Sequence, residues 1–293
     1  MLALAIEITD GYLSAGLVTE KNDDVAHSFK QALPQYSDSA SPLEQLISDL
    51  DGVLQKAPEK PMVITTATDY TLTPDRRGVV NFPTAPRLDD VRLADIMEQR
   101  FGIPARLDLR SATFLKQDRL AFDLAPSSLC FGCYVGDTYE SATWCQNTIH
   151  RGKNTRAGNI GHMPIHGRED TCYCGKNGCV ELYGSGYRLK QMHSLIFSDI
   201  PLEEIFARHA RHPLLLDFLH MMIYPVAVVA KFLDPDFIVL GGFVPSMPGF
   251  PLPLLEEELQ QQTGDPTLTL YPSGVTQSNS LACIGHQGLK DFS

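Results

Sequence analysis

Positive charge is scarce in this chain. Lys and Arg together number 24 against 35 Asp and Glu, a formal net charge of -11. That balance repels nucleic acid and anionic membrane surfaces, and no basic patch overrides it, so neither is expected as a partner. Long apolar runs are missing too. The best candidate, around Leu214–Leu233, is broken by Asp217, His220 and Lys231, which argues against a membrane span. The N-terminal MLALAIEITDGY has no basic stretch and meets Glu7 at once, so no signal peptide is expected and a cytoplasmic location is.

What is present is 43% hydrophobic and 20% charged over 293 residues, the composition of a folded chain long enough for two lobes. Seven cysteines, an odd number without a secretion signal, read as reduced thiols. Cys130, Cys133, Cys145 and Cys283 have apolar neighbours and are expected in the core.

Strand and helix signals alternate. LALAIEI (2–8) and YLSAGLV (12–18), joined by Thr-Asp-Gly, predict a β-hairpin. Ser41-Pro42-Leu43-Glu44 forms a capping box ahead of Leu43, Leu46, Ile47, Leu50, Val53 and Leu54 at helical spacing. A buried strand at 61–68, a helix over about 88–101, a strand at 105–109 and a helix from near Ser111 follow. After Pro126 a second hairpin is expected from LCFGCYVG (129–136) and ESATWCQNTI (140–149). Helices near 213–233, 251–262 and 282–291 then alternate with DFIVLGGF (236–243) and TLTLYPS. Two lobes that each open with a hairpin imply an α/β class with a duplicated architecture and a cleft between the lobes.

The densest chemistry lies in GHMPIHGREDTCYCGKNGCVE (161–181). His162, Cys172, Cys174 and Cys179 form a Cys₃His set, a standard structural combination for tetrahedral Zn²⁺. Gly175 and Gly178 supply the positive φ that a tight thiolate knuckle needs.

AGNIGHMPI…CYCGKNGCVE resembles the signature of the ROK family of sugar kinases and sugar-responsive repressors, A-G-E-x-G-H followed by C-x-C-G-x-x-G-C-x-E. The likeness runs along nearly the whole chain: IPARLDLRSAT takes the place of the family's sugar-site strand and LDPDFIVLGGF that of its adenosine-site strand. GGFVPSMPGFP is similar to the D-allose kinase branch. The resemblance implies a two-lobed actin/hexokinase-like fold, a ribonuclease H-like duplication with a zinc-binding loop. Residues 1–115, completed by a C-terminal helix at 280–293, would form the N-terminal lobe, and 116–279 the C-terminal lobe carrying the zinc motif. It also implies a homodimer, and sugar contacts from Asn159, His162 and Glu181. Glu181 has a second reading, as a favourable charge in the first turn of a helix.

A sugar kinase must hold a triphosphate, deprotonate a sugar hydroxyl and align the two. The chain departs from the family pattern at each point. Where the first phosphate loop reads D-x-G-G/A-T, this sequence has Glu7-Ile8-Thr9-Asp10-Gly11; where the second reads G-T-G, it has Gly136-Asp137-Thr138. Glu7 could organise Mg²⁺ as a longer carboxylate, but the added acids repel polyphosphate, so Mg-ATP binding is weakened and both loops read as plain hairpin turns. Gly241-Gly242 on the adenosine side is retained. At the family's Asn-Asp pair stand Leu109 and Arg110, and arginine stays protonated, so it cannot accept the sugar proton. Asp108, expected on the same strand face as Arg110 but roughly 6–7 Å back along the strand, is a possible substitute base. Arg110 itself could lie on the surface or pair with an acid such as Asp108 or Asp137.

Three functions fit this pattern. The first is a zinc-stabilised sugar-kinase homologue that binds a sugar or sugar phosphate with lost or very weak phosphoryl transfer. The second is an active ATP-dependent hexose kinase of D-allose type, and the third a regulatory or structural subunit. The family's repressors carry a helix-turn-helix ahead of the kinase fold, whereas the first strand expected here begins at residue 2, which again argues against DNA binding.

Overall fold

A computed structural model describes residues 1–9, 11–21, 24–32, 42–80 and 91–292. Asp10, Ser41 of the expected capping box and the start of the helix expected from about 88 lie outside the described residues. Two compact units emerge. Unit 1 comprises Met1–Gln117, Arg151–Ala157 and Ser278–Ser293, and unit 2 comprises Asp118–His150 and Gly158–Gln277.

Unit 1 is built on β1 (Leu2–Ile8), β2 (Tyr12–Thr19), β3 (Val25–Ala32), β4 (Val63–Thr68) and β7 (Ala105–Leu109), in the order β3-β2-β1-β4-β7. β1 pairs antiparallel with β2 through the expected hairpin and parallel with β4, which pairs parallel with β7. Thr9 ties the hairpin turn: its Oγ1 accepts from the N–H groups of Gly11 (3.3 Å) and Tyr12 (3.1 Å). β1 is buried along its whole length, as a continuous apolar run covered on both faces should be. Helices α1 (Pro42–Leu54) and α2 (Leu93–Phe101) contribute Leu46, Leu50, Leu93 and Met97 to the unit 1 core. Two short strands, β5 (Thr71–Leu72) and β6 (Val79–Val80), form a separate ribbon. The last helix, α9 (Ser280–Phe292), lies on β1, β2 and β4. Helix α3 (Arg110–Ala121) starts directly where β7 stops.

Unit 2 repeats the plan with β8 (Cys130–Val135), β9 (Tyr139–Cys145), β10 (Thr148–Ile149), β11 (Phe237–Gly241) and β12 (Leu270–Pro272), in the order β10-β9-β8-β11-β12. An antiparallel hairpin at β8–β9 is again extended by a parallel neighbour, β11 on β8, and then β12 on β11. The matching strand orders give the duplicated α/β plan that the sequence implies. Helices α4 (Glu181–Gly184), α5 (Gly186–Ile196), α6 (Ile205–His209), α7 (Pro213–Leu233) and α8 (Leu252–Thr263) complete the unit. By length and composition α7 could cross a membrane, yet 56% of its most apolar window is buried, and Leu215, Phe218, Leu219, Met222, Ile223 and Val226 join the unit 2 core. Cys130, Cys133 and Cys283 are buried as expected, while Cys145 is only half-buried near the open end of its hairpin.

Candidate metal and ligand site

The Cys₃His set lies entirely within unit 2. His162 ends a short 3₁₀ turn, Ile160–His162, and isolated bridges Pro164↔Cys179 and Thr171↔Asn177 fold the following chain back on itself. This pairing returns Cys179 to a residue seventeen positions earlier: its Sγ lies 3.7 Å from the His162 carbonyl oxygen. Gly175 and Gly178 adopt φ of +83° and +70°, and a Cβ on Gly178 would stand 2.3 Å from the Arg168 carbonyl oxygen. Only glycine fits the knuckle there.

The four ligand atoms lie within 4.8 Å of one another. Tetrahedral zinc, with Zn–S of about 2.3 Å and Zn–N of about 2.0–2.1 Å, requires S···S of about 3.8 Å and S···N of about 3.6 Å. Cys174 Sγ to Cys179 Sγ is 3.6 Å and Cys172 Sγ to His162 Nδ1 is 3.6 Å. The donor chemistry agrees. Burial, reinforced by Lys176, holds the His162 imidazole below its ordinary value, so it is neutral and able to ligate. Burial and the neighbouring thiols push Cys179 up to about 12. Burial pushes the Cys172 thiol up as well, and a divalent cation is what would make such thiolates favourable. The residues fit zinc.

Glu181 opens α4 and is buried, with its Oε2 accepting the backbone N–H of Tyr139 at 2.9 Å. Its Oε1 faces the Tyr173 hydroxyl at 3.5 Å, and that hydroxyl is 3.3 Å from His162 Nε2. Two of the expected sugar contacts, His162 and Glu181, therefore converge on one hydroxyl-sized position. Gly161 permits the approach, because a Cβ there would meet the Tyr139 carbonyl oxygen at 2.4 Å. Asn159, next to the 3₁₀ turn, is exposed and its side chain makes no capping bond.

The remaining candidates divide between the units. In unit 2, Gly136 donates its N–H to Thr138 and accepts from Gly186, while Asp137 pairs with Lys190, so this loop is a tied hairpin turn. Gly241 ends β11 against Tyr134, and Gly242, at φ +95°, carries the chain past Val135. In unit 1, the order β1-β4-β7 brings Glu7 and Arg110 together at the C-terminal ends of the parallel strands. Arg110 Nε donates to Glu7 Oε1 at 2.8 Å, Ser280 Oγ donates to Glu7 Oε2 at 2.8 Å, and Arg110 Nη1 lies 3.9 Å from Asp69. Glu7 is 1% exposed and the Arg110 side chain 15%.

Of the readings open for Arg110, pairing with an acid holds, with Glu7 rather than Asp108 as that acid, while Asp137 pairs with Lys190; the surface reading is corrected, since the side chain is 15% exposed. Strand alternation does not carry over from Asp108, because β7 stops at Leu109 and α3 begins with Arg110. Asp108 faces other cations: Arg151 donates to it through Nη1 (2.6 Å) and Nη2 (2.8 Å), with Lys116 at 3.5 Å and Arg76 at 3.6 Å. Burial pushes the Asp108 carboxyl up, but Arg151 foremost, then Lys116 and Arg76, more than offset it and hold it below the ordinary carboxylate range. Such a carboxylate is a poor proton acceptor.

Sequence reasoning missed Tyr173, Ser280 and Arg151. Tyr173 had a legible signal, an aromatic hydroxyl between two metal-ligand cysteines. The other two are brought in by tertiary structure alone.

A model of the ROK family matches residues 4–286. The N-acetylmannosamine kinase of Vibrio cholerae serotype O1 is 25% identical over 294 residues, covering 97% of this chain and 97% of that one. The xylose repressor of Caldicellulosiruptor bescii is 28% identical over 103 residues, 34% of this chain and 26% of the repressor. Among solved structures, a ROK family glucokinase from Streptomyces griseus, in complex with glucose and AMPPNP, gives a TM-score of 0.80 at 18% identity, covering 99% of this chain and 100% of that one. The mixed α/β, two-sheet architecture is the actin/hexokinase-like fold of such kinases.

Proposed function

The chain belongs to the ROK family, and from that premise we propose that it is a zinc-stabilised, sugar-binding member in which phosphoryl transfer is lost or very weak. The observation that carries this reading is the 2.8 Å pair of Arg110, which by sequence resemblance stands at the family's base position, with buried Glu7. A general base typically contributes ~10²–10⁴-fold in rate, and a guanidinium cannot supply it. Asp108, the substitute base expected from the sequence, is held ionised and bidentate by Arg151. Both oxygens of Glu7 accept from Arg110 and Ser280, an arrangement that competes with any Mg²⁺ role.

Binding is the part of the family's chemistry that these residues retain. His162, Cys172, Cys174 and Cys179 would hold zinc, which would crosslink the loop over 160–182. Through Nε2, His162 would donate to a sugar hydroxyl, and Glu181 Oε1 would accept from the same hydroxyl. A cytoplasmic location, expected from the sequence, and homodimerisation, carried over from the family, complete the reading.

An active hexose kinase is the second reading. It is favoured by the end-to-end match to an N-acetylmannosamine kinase. One assay separates the two: ADP release by zinc-replete protein with Mg-ATP across D-allose, D-glucose and N-acetyl-D-mannosamine. Absence of sugar-dependent release, with sugar binding detected by calorimetry, is the expected result. Sugar-dependent turnover at rates typical of hexose kinases would overturn the proposal.

A further inference from the structure

Tyr173 stands between Cys172 and Cys174 and is 56% exposed, yet its ring is not splayed into solvent. It meets the His162 ring edge-on, with centroids 5.2 Å apart, and its hydroxyl bridges His162 Nε2 (3.3 Å) and Glu181 Oε1 (3.5 Å). The direction of the two hydrogen bonds follows from the neighbours. With zinc held on Nδ1, which lies 3.6 Å from Cys172 Sγ, Nε2 would be the nitrogen that carries the proton. Glu181 spends Oε2 on the Tyr139 N–H and turns Oε1, an acceptor, to the phenol. Whatever sits between must accept from Nε2–H and donate to a carboxylate. A hydroxyl does both at once; the phenol of Tyr173 is one such group, and a sugar hydroxyl is another.

We propose that Tyr173 is an in-chain surrogate for the ligand hydroxyl: it fills the position that His162 and Glu181 offer, so a sugar enters only as the phenol leaves. This rests on the sugar-contact reading of His162 and Glu181 given above. Tyr173 is 56% exposed, so it can leave by side-chain rotation without opening the core. The consequence is a tax on affinity: the apparent dissociation constant is the intrinsic one divided by the fraction of molecules in which the phenol is out of place. Two hydrogen bonds at the long end of the range carry a small net stabilisation, so removing the hydroxyl should tighten sugar binding by about 3- to 10-fold.

The test is isothermal titration of the zinc-loaded full chain with D-allose, D-glucose and N-acetyl-D-mannosamine, comparing wild type, Tyr173→Phe and Glu181→Gln. Zinc stoichiometry and melting temperature establish that each variant is folded. Tighter binding by Tyr173→Phe than by wild type, or binding seen only in Tyr173→Phe, is the expected result. Equal or weaker binding by Tyr173→Phe, with wild-type binding abolished in Glu181→Gln, would overturn the surrogate and leave the sugar site standing. Binding indifferent to Glu181→Gln, or no binding by wild type and Tyr173→Phe alike, would overturn the sugar-contact reading and the surrogate with it.

Discussion

Replacing Arg110 with Met should destabilise unit 1 by about 3–5 kcal/mol, the usual cost of removing one partner from a buried ion pair. The arithmetic starts from burial. Glu7 is 1% exposed and Arg110 15%, and the Nε···Oε1 separation is 2.8 Å. At an effective dielectric constant of ~20 that separation gives a gross attraction of about 6 kcal/mol, set against a desolvation penalty of several kcal/mol per ion. In the wild type the two nearly balance. The Met variant keeps the desolvation of Glu7 and loses the attraction, while Met fills most of the vacated volume, so cavity effects stay small. Each kcal/mol moves the melting temperature of a domain of this order by about 2–4 °C, so calorimetry should show the unit 1 transition lowered by about 6–20 °C. Arg110→Met combined with Glu7→Gln should recover part of the loss, because position 7 then carries no charge and Gln still accepts from Ser280, while Asp69 still loses its contact with Arg110. A single Arg110→Met variant within about 1 kcal/mol of wild type would refute the reasoning, since that is the range of an exposed pair.

Further outcomes follow from the same contacts. Ser280→Ala removes the 2.8 Å donor from buried Glu7 Oε2 and should cost about 1–3 kcal/mol in urea unfolding; no change would show that solvent replaces the hydroxyl. Chelation of zinc should increase proteolysis within 160–182 and lower the melting temperature, and Cys174→Ser should do the same; an unchanged melt after verified zinc loss would remove the structural role. Asp108 has a folded-state pKa below its unfolded value of about 3.9, so its stabilisation is complete above that value and disappears as pH falls through the folded one. The stability gap between wild type and Asp108→Asn should therefore shrink from pH 5 to pH 2, and a gap constant over that interval would count against the Arg151 pairing.

Local signals were legible and non-local ones were not. Helix α7 falls where 213–233 is expected, because its apolar stripe and flanking Pro213 are read from neighbours in sequence. The cysteine knuckle was legible for the same reason: spacing and glycine placement determine it within twenty residues. Strand β3 escaped notice because Val25–Ala32 is an edge strand with most of its residues exposed, so its apolar signal is weak. Helix α5 buries only Gly186, Leu189 and Met192, too sparse a stripe to stand out. Nothing in the composition of Arg151–Ala157 announces that this basic stretch belongs to unit 1. Nor could the partner of Arg110 be read: Glu7 lies 103 positions away, and only the insertion of β4 between β1 and β7 sets their distance.

That non-local arrangement bears on whether the missing base could be restored by one substitution. Arg110→Asp would return a carboxylate to the family's position, but beside Glu7 and Asp69, which Arg110 now faces at 2.8 Å and 3.9 Å. Three carboxylates in one buried corner repel one another, and the Ser280 hydroxyl is a neutral donor. The variant is therefore expected to be less stable than Arg110→Met, and to recover stability with Mg²⁺ only if the cation can displace Ser280 from Glu7. Asp108 cannot take over without the loss of Arg151, and removing Arg151 would leave Asp108 to Lys116 and Arg76 at 3.5 Å and 3.6 Å. The change at position 110 is thus embedded in one ion-pair group, and its possible substitute Asp108 is held in a second. An Arg110→Asp protein at least as stable as Arg110→Met in the absence of divalent cations would show that the corner tolerates the carboxylate, and that the base was lost for a reason other than packing.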